Sequence, residues 1–238
     1  MRLNDKRMWQ RFRMGICDVF YPNRCPCCRR LIPAQEFLCS TCARIVPAAP
    51  GRFCAGCGKE PKNCICGSTA YDRAFVVGVY DETDRAGVLS LKTAESLQFG
   101  FFIGRQLARM LLDTEFLEAD CITIVPPRKK KYAERQQPQC VPPAVIAKQI
   151  AMETGLPVRL RLLSHTGKGR PQHELDGTQR RANTGRFRET QSDLHGQHIL
   201  LVDDVLTTGT TMNECACLLK KMGASSVIAL AAASTVLA

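Results

Sequence analysis

The sequence predicts an α/β protein in which a parallel sheet with covering helices follows a small cysteine-rich domain. Three observations predict it. Short apolar runs at 73–80, 121–125, 199–202 and 227–233 alternate with stretches of helical periodicity, the rhythm of βα units. Ten of the fourteen cysteines fall between Cys17 and Cys66. The run 199–202 ends in Asp203-Asp204 and a hydroxyl-rich turn, at the sheet edge where open parallel sheets bind ligands. At 238 residues the chain holds one larger domain and a small appendage, and 45% hydrophobic residues make it globular rather than disordered. The expected divisions are an amphipathic segment at 1–20, the cysteine-rich domain at 21–70 and the α/β domain at 71–238.

The N-terminal stretch mixes Arg2, Lys6, Arg7, Arg11 and Arg13 with Met8, Trp9, Phe12 and Ile16. It has no uninterrupted apolar core, so it does not read as a secretory signal, and no run in the chain reads as a membrane span. A cytoplasmic location is the expectation. The segment suits a helix that lies on a membrane or a nucleic acid, but more often such a segment docks its apolar stripe on its own protein.

Without a secretion signal, the cysteines point to metal rather than disulfides. Cys25, Cys28, Cys39 and Cys42 supply two turns that aim four thiolates at one tetrahedral ion. Cys54, Cys57, Cys64 and Cys66 offer a second set, with Gly58 easing the turn after its first pair. Cys27 competes with Cys25 as a ligand. All four histidines lie beyond residue 164, so zinc here, one ion or two, is bound by cysteine alone. The alternative is a set of reduced buried cysteines or a redox site. Against it, some fifty residues with few aliphatics build little core, and small domains of that kind need metal or disulfides. Two four-thiolate zinc sites would each carry a net charge of −2, lowering the formal +11 of the chain to about +7. A nucleic-acid surface stays possible, though the raw charge overstates it.

In the larger domain, 73–80 reads as its first strand and helical patterns follow. Leu97, Phe101, Gly104, Ala108 and Leu111 recur at three- and four-residue intervals, the stripe of a helix packed on the sheet; Lys92 lies before it. The run 121–125 is a short strand that leads into Pro126-Pro127-Arg128-Lys129-Lys130-Lys131, and a helix follows at 141–154. A basic loop at a strand's carboxyl end can hold pyrophosphate, or be a solvated charge run. Residues 160–187 form a polar, basic excursion carrying Lys168, Arg170, Gln172, His173, Arg180, Arg181, Asn183 and Arg186. It reads as a lid that excludes water, or as a surface loop.

The last βα unit is the most informative. Residues 199–202 make a buried strand, the two acids fall just past its end, and 210–222 reads as a helix with Lys220 and Lys221 in the last turn and Gly223 as its stop. The turn aims the amides and hydroxyls of Thr208 to Thr211 at one spot, where the helix dipole favours a phosphate. Asp203 and Asp204, acceptors only when ionised, suit vicinal sugar hydroxyls or a Mg²⁺ shell. The bland alternative is a strand end followed by ordinary turn residues.

This block resembles the phosphoribosyl pyrophosphate (PRPP) signature of type I phosphoribosyltransferases, hydrophobic-Asp-Asp-x-x-Thr-x-Gly-Thr-Thr. The resemblance implies that Asp203 and Asp204 contact the ribose hydroxyls and that Thr207, Thr208, Gly209, Thr210 and Thr211 wrap the 5′-phosphate. It also implies Mg²⁺ accompanying PRPP and a fold of the type I phosphoribosyltransferase kind. Cysteine pairs at the start, a proline-ended strand before a basic loop, Pro171-Gln172-x-x-Leu175, Arg180-Arg181-x-Asn183 and Gly185-x-Phe187 then make most of the chain, in order, similar to the ComF family. That family includes competence-associated and gluconate-uptake-associated bacterial proteins; the resemblance implies a zinc-ribbon-like N-terminal domain joined to a type I phosphoribosyltransferase-like parallel sheet, its second half similar to glutamine-dependent amidophosphoribosyltransferases.

Arg128, Lys129, Arg135, Lys168, Arg170 and Gln172 are the pyrophosphate and lid candidates. The chain departs from the family where members show Pro-Val-Pro and then Arg-Gly-Phe-Asn-Gln. Here stand Val125-Pro126-Pro127 and Arg135-Gln136-Gln137-Pro138-Gln139. Two functions remain open. One is a Mg²⁺-dependent transfer of a phosphoribosyl group to an unknown acceptor; a complete amidotransferase is not expected, since no cysteine follows Met1. The other is a non-enzymatic role in DNA uptake, binding single-stranded DNA or DNA-uptake proteins, with Trp9, Phe12, Phe20 or Tyr21 stacking on bases.

Overall fold

The computed structural model describes residues 23–93, 95–114, 118–127, 141–166, 185–190 and 192–236. Four strands form one parallel sheet: β1 (Arg73–Val79), β2 (Cys121–Ile124), β5 (His198–Leu206) and β6 (Ser226–Ser234), in the order β1-β6-β5-β2. A separate antiparallel pair, β3 (Leu163–His165) and β4 (Phe187–Glu189), brackets the basic excursion. The longer helices are α2 (Glu82–Lys92), α3 (Gln98–Leu112), α4 (Pro142–Thr154) and α5 (Thr210–Lys221); a short α1 (Ser40–Ile45) lies in the cysteine-rich region. The predicted βα rhythm is therefore present.

Alternation along β5 explains why this sheet is covered on both faces. Leu200 and Val202 point into one core with Phe99, Ile103, Leu107, Val145 and Ile150, from α3 and α4. Ile199 and Leu201 point into the other, with Met212, Cys215 and Leu219 of α5. A strand with apolar residues on both sides has no solvent face, which is why 199–202 reads as an unbroken run.

The cysteine-rich region wraps the outer edge of the sheet, where β1 has no further strand beside it among the described residues. Ala48 donates its backbone N–H to the Val77 carbonyl at 2.8 Å, and Ala74 donates to the Ala55 carbonyl at 2.9 Å. Cys25, Cys39 and Cys42 join the α3/α4 core, while Cys57 joins the α5 core. One four-cysteine group thus lies on each face. The scarcity of aliphatics at 21–70 is offset by apolar contacts borrowed from the sheet.

The first turn of α2 holds a charge in the wrong place. Asp84 is 1% exposed and its Oδ1 has no hydrogen-bond partner, although Asp81 caps the helix by accepting from the Thr83 and Asp84 amides. Burial, then the charge of Asp81, pushes the Asp84 carboxyl from 3.8 up to about 8. In the unfolded chain this group ionises near its ordinary value, so the folded state holds the extra proton between those limits. Its favourable contribution is whole below pH 4 and is lost as pH rises toward 8. We expect Asp84→Asn to melt above the wild type at pH 8 and to converge with it near pH 4, measured by thermal denaturation across that range. A gap that does not change with pH would refute the assignment.

Candidate functional site

β5 is longer than its apolar core. The sequence places the acids past the strand's end, but pairing with β6 carries β5 through them: Asp203 stands opposite Ala231 and Leu206 opposite Ser234. On the other flank β2 stops at Ile124, opposite Val202. Beyond Val202, β5 therefore keeps a hydrogen-bonded neighbour on the β6 side, and no strand among the described residues pairs with it on the other. Ladder bonds from one partner override the tendency of two adjacent acids to end a strand.

Strand alternation sends the two carboxylates to opposite faces of the sheet. Asp203 lies on the α5 side, where its charge is felt by Cys215, and its Oδ1 accepts the Asp204 amide at 2.8 Å. Burial, then the Asp204 charge, holds its carboxyl well above the usual range. Asp204 lies on the α2 side and pairs with Lys92 at 3.0 Å. Burial works against the Lys92 ammonium, yet the Asp204 carboxylate raises it overall and keeps it charged. Lys92 is a partner of the candidate site that sequence reasoning passed over; it ends a helix more than a hundred positions from Asp204, with nothing in the spacing to link them.

The turn between β5 and α5 is drawn tight by its own hydroxyls. Thr208 Oγ1 and Thr210 Oγ1 are 2.9 Å apart, and the Thr210 amide donates to Thr208 Oγ1 at 3.4 Å. Gly209 has φ +78°, a conformation that favours glycine, and a Cβ there would stand 2.9 Å from the tip of the Ile65 side chain. Arg186, buried at the foot of the excursion, bonds Glu214 through its backbone N–H (2.8 Å) and Nε (3.0 Å), and reaches Thr211 Oγ1 at 3.3 Å. It anchors β4 to α5. Arg128, Lys129, Arg135, Lys168, Arg170 and Gln172 lie outside the described residues, as do Trp9, Phe12, Phe20 and Tyr21.

Both predicted cysteine groups assemble. In Cys25, Cys28, Cys39 and Cys42, and again in Cys54, Cys57, Cys64 and Cys66, the four sulfurs lie within 4.8 Å of one another. Individual pairs are 3.6 Å (Cys28–Cys39), 3.4 Å (Cys54–Cys66), 3.7 Å (Cys57–Cys64) and 3.8 Å (Cys64–Cys54). A tetrahedral zinc with Zn–S bonds of ~2.3 Å needs sulfur separations of about 3.8 Å, so both groups could hold zinc. Backbone amides favour the thiolate form: the Cys42 amide, 3.4 Å from Cys39 Sγ, pulls the Cys39 thiol down to about 7, and the Cys57 amide does the same for Cys54. Cys27 goes the other way, its thiol pushed up by burial, and it stands outside the group that holds Cys25.

The second group is joined to the turn between β5 and α5. Gly58 has φ +71°, and a Cβ there would lie 2.8 Å from Leu206 and 2.9 Å from Val76. Lys59, 2% exposed, sends its ammonium to the Thr207 and Thr235 carbonyls, both at 2.7 Å, and to Ser234 Oγ at 3.1 Å. Tyr71 donates its hydroxyl to the Cys57 carbonyl at 3.0 Å. Lys59 was also missed, because a lysine next to a cysteine turn carries no sign of a partner about 150 residues away.

A parallel sheet whose last βα turn carries an acid pair and a threonine-glycine loop defines a phosphoribosyltransferase-type fold, and the chain belongs to the phosphoribosyl transferase domain family, whose model matches residues 106–235. Along nearly its whole length it is also similar to Competence protein F of Haemophilus influenzae, at 27% identity over 227 residues that make up 87% of this chain and 95% of that protein. It is 26% identical over 218 residues to the DNA utilization protein YhgH of Salmonella typhimurium, covering 90% of this chain and 87% of that one. These relatives bear out the ComF resemblance carried by the motifs. Among solved structures, the glutamine PRPP amidotransferase from B. subtilis complexed with ADP and GMP is 20% identical with a TM-score of 0.36, over 56% of this chain and 27% of that one. No helix among the described residues is long and apolar enough to cross a membrane.

Proposed function

We propose that this is a ComF-type phosphoribosyltransferase-like protein that binds PRPP or a related ribose phosphate across the carboxyl end of β5. The observation that carries the reading is the succession of two adjacent acids at the end of β5 and a threonine-glycine turn at the start of α5. Asp203 and Asp204 accept from the ribose hydroxyls, and the amides and hydroxyls of Thr207 to Thr211 receive the 5′-phosphate at the start of α5. The acid pair suits hydroxyls better than a resident cation, because Lys92 already faces Asp204 and Asp203 tends to keep its proton. Mg²⁺ would instead arrive with the diphosphate and offset its charge. Arg128, Lys129 and Arg135, with Lys168, Arg170 and Gln172 of the excursion, complete the reading as cations and donors for the pyrophosphate and as a lid. In a transfer, the bond from the anomeric carbon to pyrophosphate breaks while an acceptor nucleophile bonds to that carbon, and the acid pair fixes the sugar as positive charge develops. The acceptor is open.

Calorimetric titration of the full chain with PRPP and Mg²⁺ tests this. Saturable binding that ribose 5-phosphate competes away is expected; no heat with either ligand would overturn the reading.

A second reading is favoured by the names of the two relatives, a competence protein and a DNA utilization protein. In it the chain is a cytoplasmic, non-enzymatic accessory of DNA uptake, whose cysteine-rich region and basic N terminus bind the backbone of single-stranded DNA. Such binding weakens steeply with salt. An oligonucleotide affinity that is negligible at low salt would dismiss it.

A further inference from the structure

We propose that Lys59 and the second four-cysteine group form a positioning device for the turn at 207–211, so that metal occupancy of that group and binding of a sugar phosphate are linked. The inference rests on the ribose-phosphate reading of that turn. Three contacts carry it, two from within the Cys54/Cys57/Cys64/Cys66 segment and one from just after it.

The first is Lys59 itself. Its ammonium draws the Thr207 carbonyl to 2.7 Å and stands 3.4 Å from the Leu206 carbonyl, which also accepts the Thr235 amide at 3.1 Å. In a trans peptide the carbonyl and the following N–H point in opposite directions. Holding the Leu206 and Thr207 carbonyls toward Lys59 and β6 therefore turns the Thr207 and Thr208 amides the other way, toward the flank of β5 where β2 has ended and no strand among the described residues pairs with it. Successive amides set to one side are what an anionic phosphate requires. Lys59 thus acts on the ligand only through the backbone it orients.

The second contact is Ile65, between the ligand candidates Cys64 and Cys66, whose Cδ1 packs against Gly209, 2.9 Å from where a Cβ would stand. The third follows the group in sequence: the Ala70 amide donates to Asn213 Oδ1 at 2.5 Å, in the first turn of α5, while Tyr71 bonds the Cys57 carbonyl. The approach of the turn, its tip and the helix that follows are all braced from one module. Closing four thiolates on an ion fixes where Lys59 and Ile65 stand. The Cys25/Cys28/Cys39/Cys42 group lies in the opposite core, and its segment reaches α3 instead, through Asn23 to Gln98.

Linkage is reciprocal, so ligand must protect that metal as much as the metal favours ligand. The test uses the full zinc-loaded chain with ribose 5-phosphate as probe, measuring its affinity by calorimetry and zinc transfer to a chromogenic chelator. Ribose 5-phosphate is expected to retain one of two zinc ions about tenfold more tightly, within the usual span of coupling between sites. That protected ion should be missing in Cys66→Ser. Lys59→Met should keep both ions, bind the probe about tenfold more weakly and lose the protection, with Lys59→Arg restoring part of both. Ile65→Ala, which leaves every cysteine and Lys59 in place, should give a smaller loss of the same kind and serves if Lys59→Met does not fold. A wild type that binds the probe while both ions leave unprotected overturns the linkage, as does a Lys59→Met chain that binds like wild type. A wild type that binds neither ribose 5-phosphate nor PRPP overturns the site reading and this inference with it.

Discussion

Metal removal by a strong chelator is expected to abolish the cooperative melting of this protein, not merely to loosen its N-terminal region. Cys25 and Cys57 are fully buried, and Cys39 and Cys42 nearly so, each within one of the two cores that sandwich the sheet. A structural zinc contributes about 10–16 kcal/mol of apparent folding free energy in small metal-dependent domains. A domain of ordinary stability has only about 5–15 kcal/mol in total. Even a fraction of the metal contribution, lost from both faces of the sheet at once, is comparable with everything that holds the fold. Differential scanning calorimetry alongside metal analysis would show it. A melting transition that survives unchanged after the zinc has been removed would end the structural role for these cysteines.

The second large effect concerns Asp203→Asn combined with Asp204→Asn, where binding and stability should move in opposite directions. A hydrogen bond to the Asp204 carboxylate is worth about 1.5–3 kcal/mol and one to a protonated Asp203 about 0.5–1.5 kcal/mol, so replacing both acids should weaken ribose 5-phosphate binding by on the order of 100-fold. The same change relieves the sheet. Folding surrounds Asp203 with buried neighbours beside a second acid, and its carboxyl is held well above the usual range. The folded chain therefore keeps a proton that the unfolded chain releases, and stability falls as pH rises from the ordinary carboxylate range upward. An amide has no proton to lose and can still accept the Asp204 backbone N–H. The double variant should melt above the wild type at neutral pH, the gap narrowing as the solution is acidified. Affinity equal to wild type would remove the acids from the site; an unaltered melting temperature would mean their repulsion is already offset by Lys92.

Much of this architecture was legible because buried parallel strands leave a plain mark. Residues 199–202 are apolar on both sides since both sides are covered, and 227–233 repeats the pattern. The cysteine pairs were legible for a different reason, because two thiolates must come from one turn to meet one ion. The reach of β5 was not legible. Asp203 and Asp204 look like terminators, and only the ladder to β6 carries the strand past them. Lys92 and Lys59 were hidden by distance along the chain, since what each does is decided by a carbonyl or carboxylate far away in sequence. The boundaries of α2 were equally faint: Gly87, Ser90 and the buried Asp84 interrupt its apolar face.

The backbone bonds from Ala48 and Ala55 to β1 have a consequence for how this protein would fail. An open strand edge is a template for pairing with other chains, and proteins commonly shield it with charge, a bulge or a covering segment. Here the shield is the very stretch that carries both four-cysteine groups, each of which could hold an ion. Were its shape to depend on those ions, their loss would unmask β1 beside strands that are still apolar. The species to expect from a metal-stripped chain would then be a self-associating one that joins edge to edge, rather than a dispersed coil, and metal supply would be a condition for keeping the protein apart from its own copies.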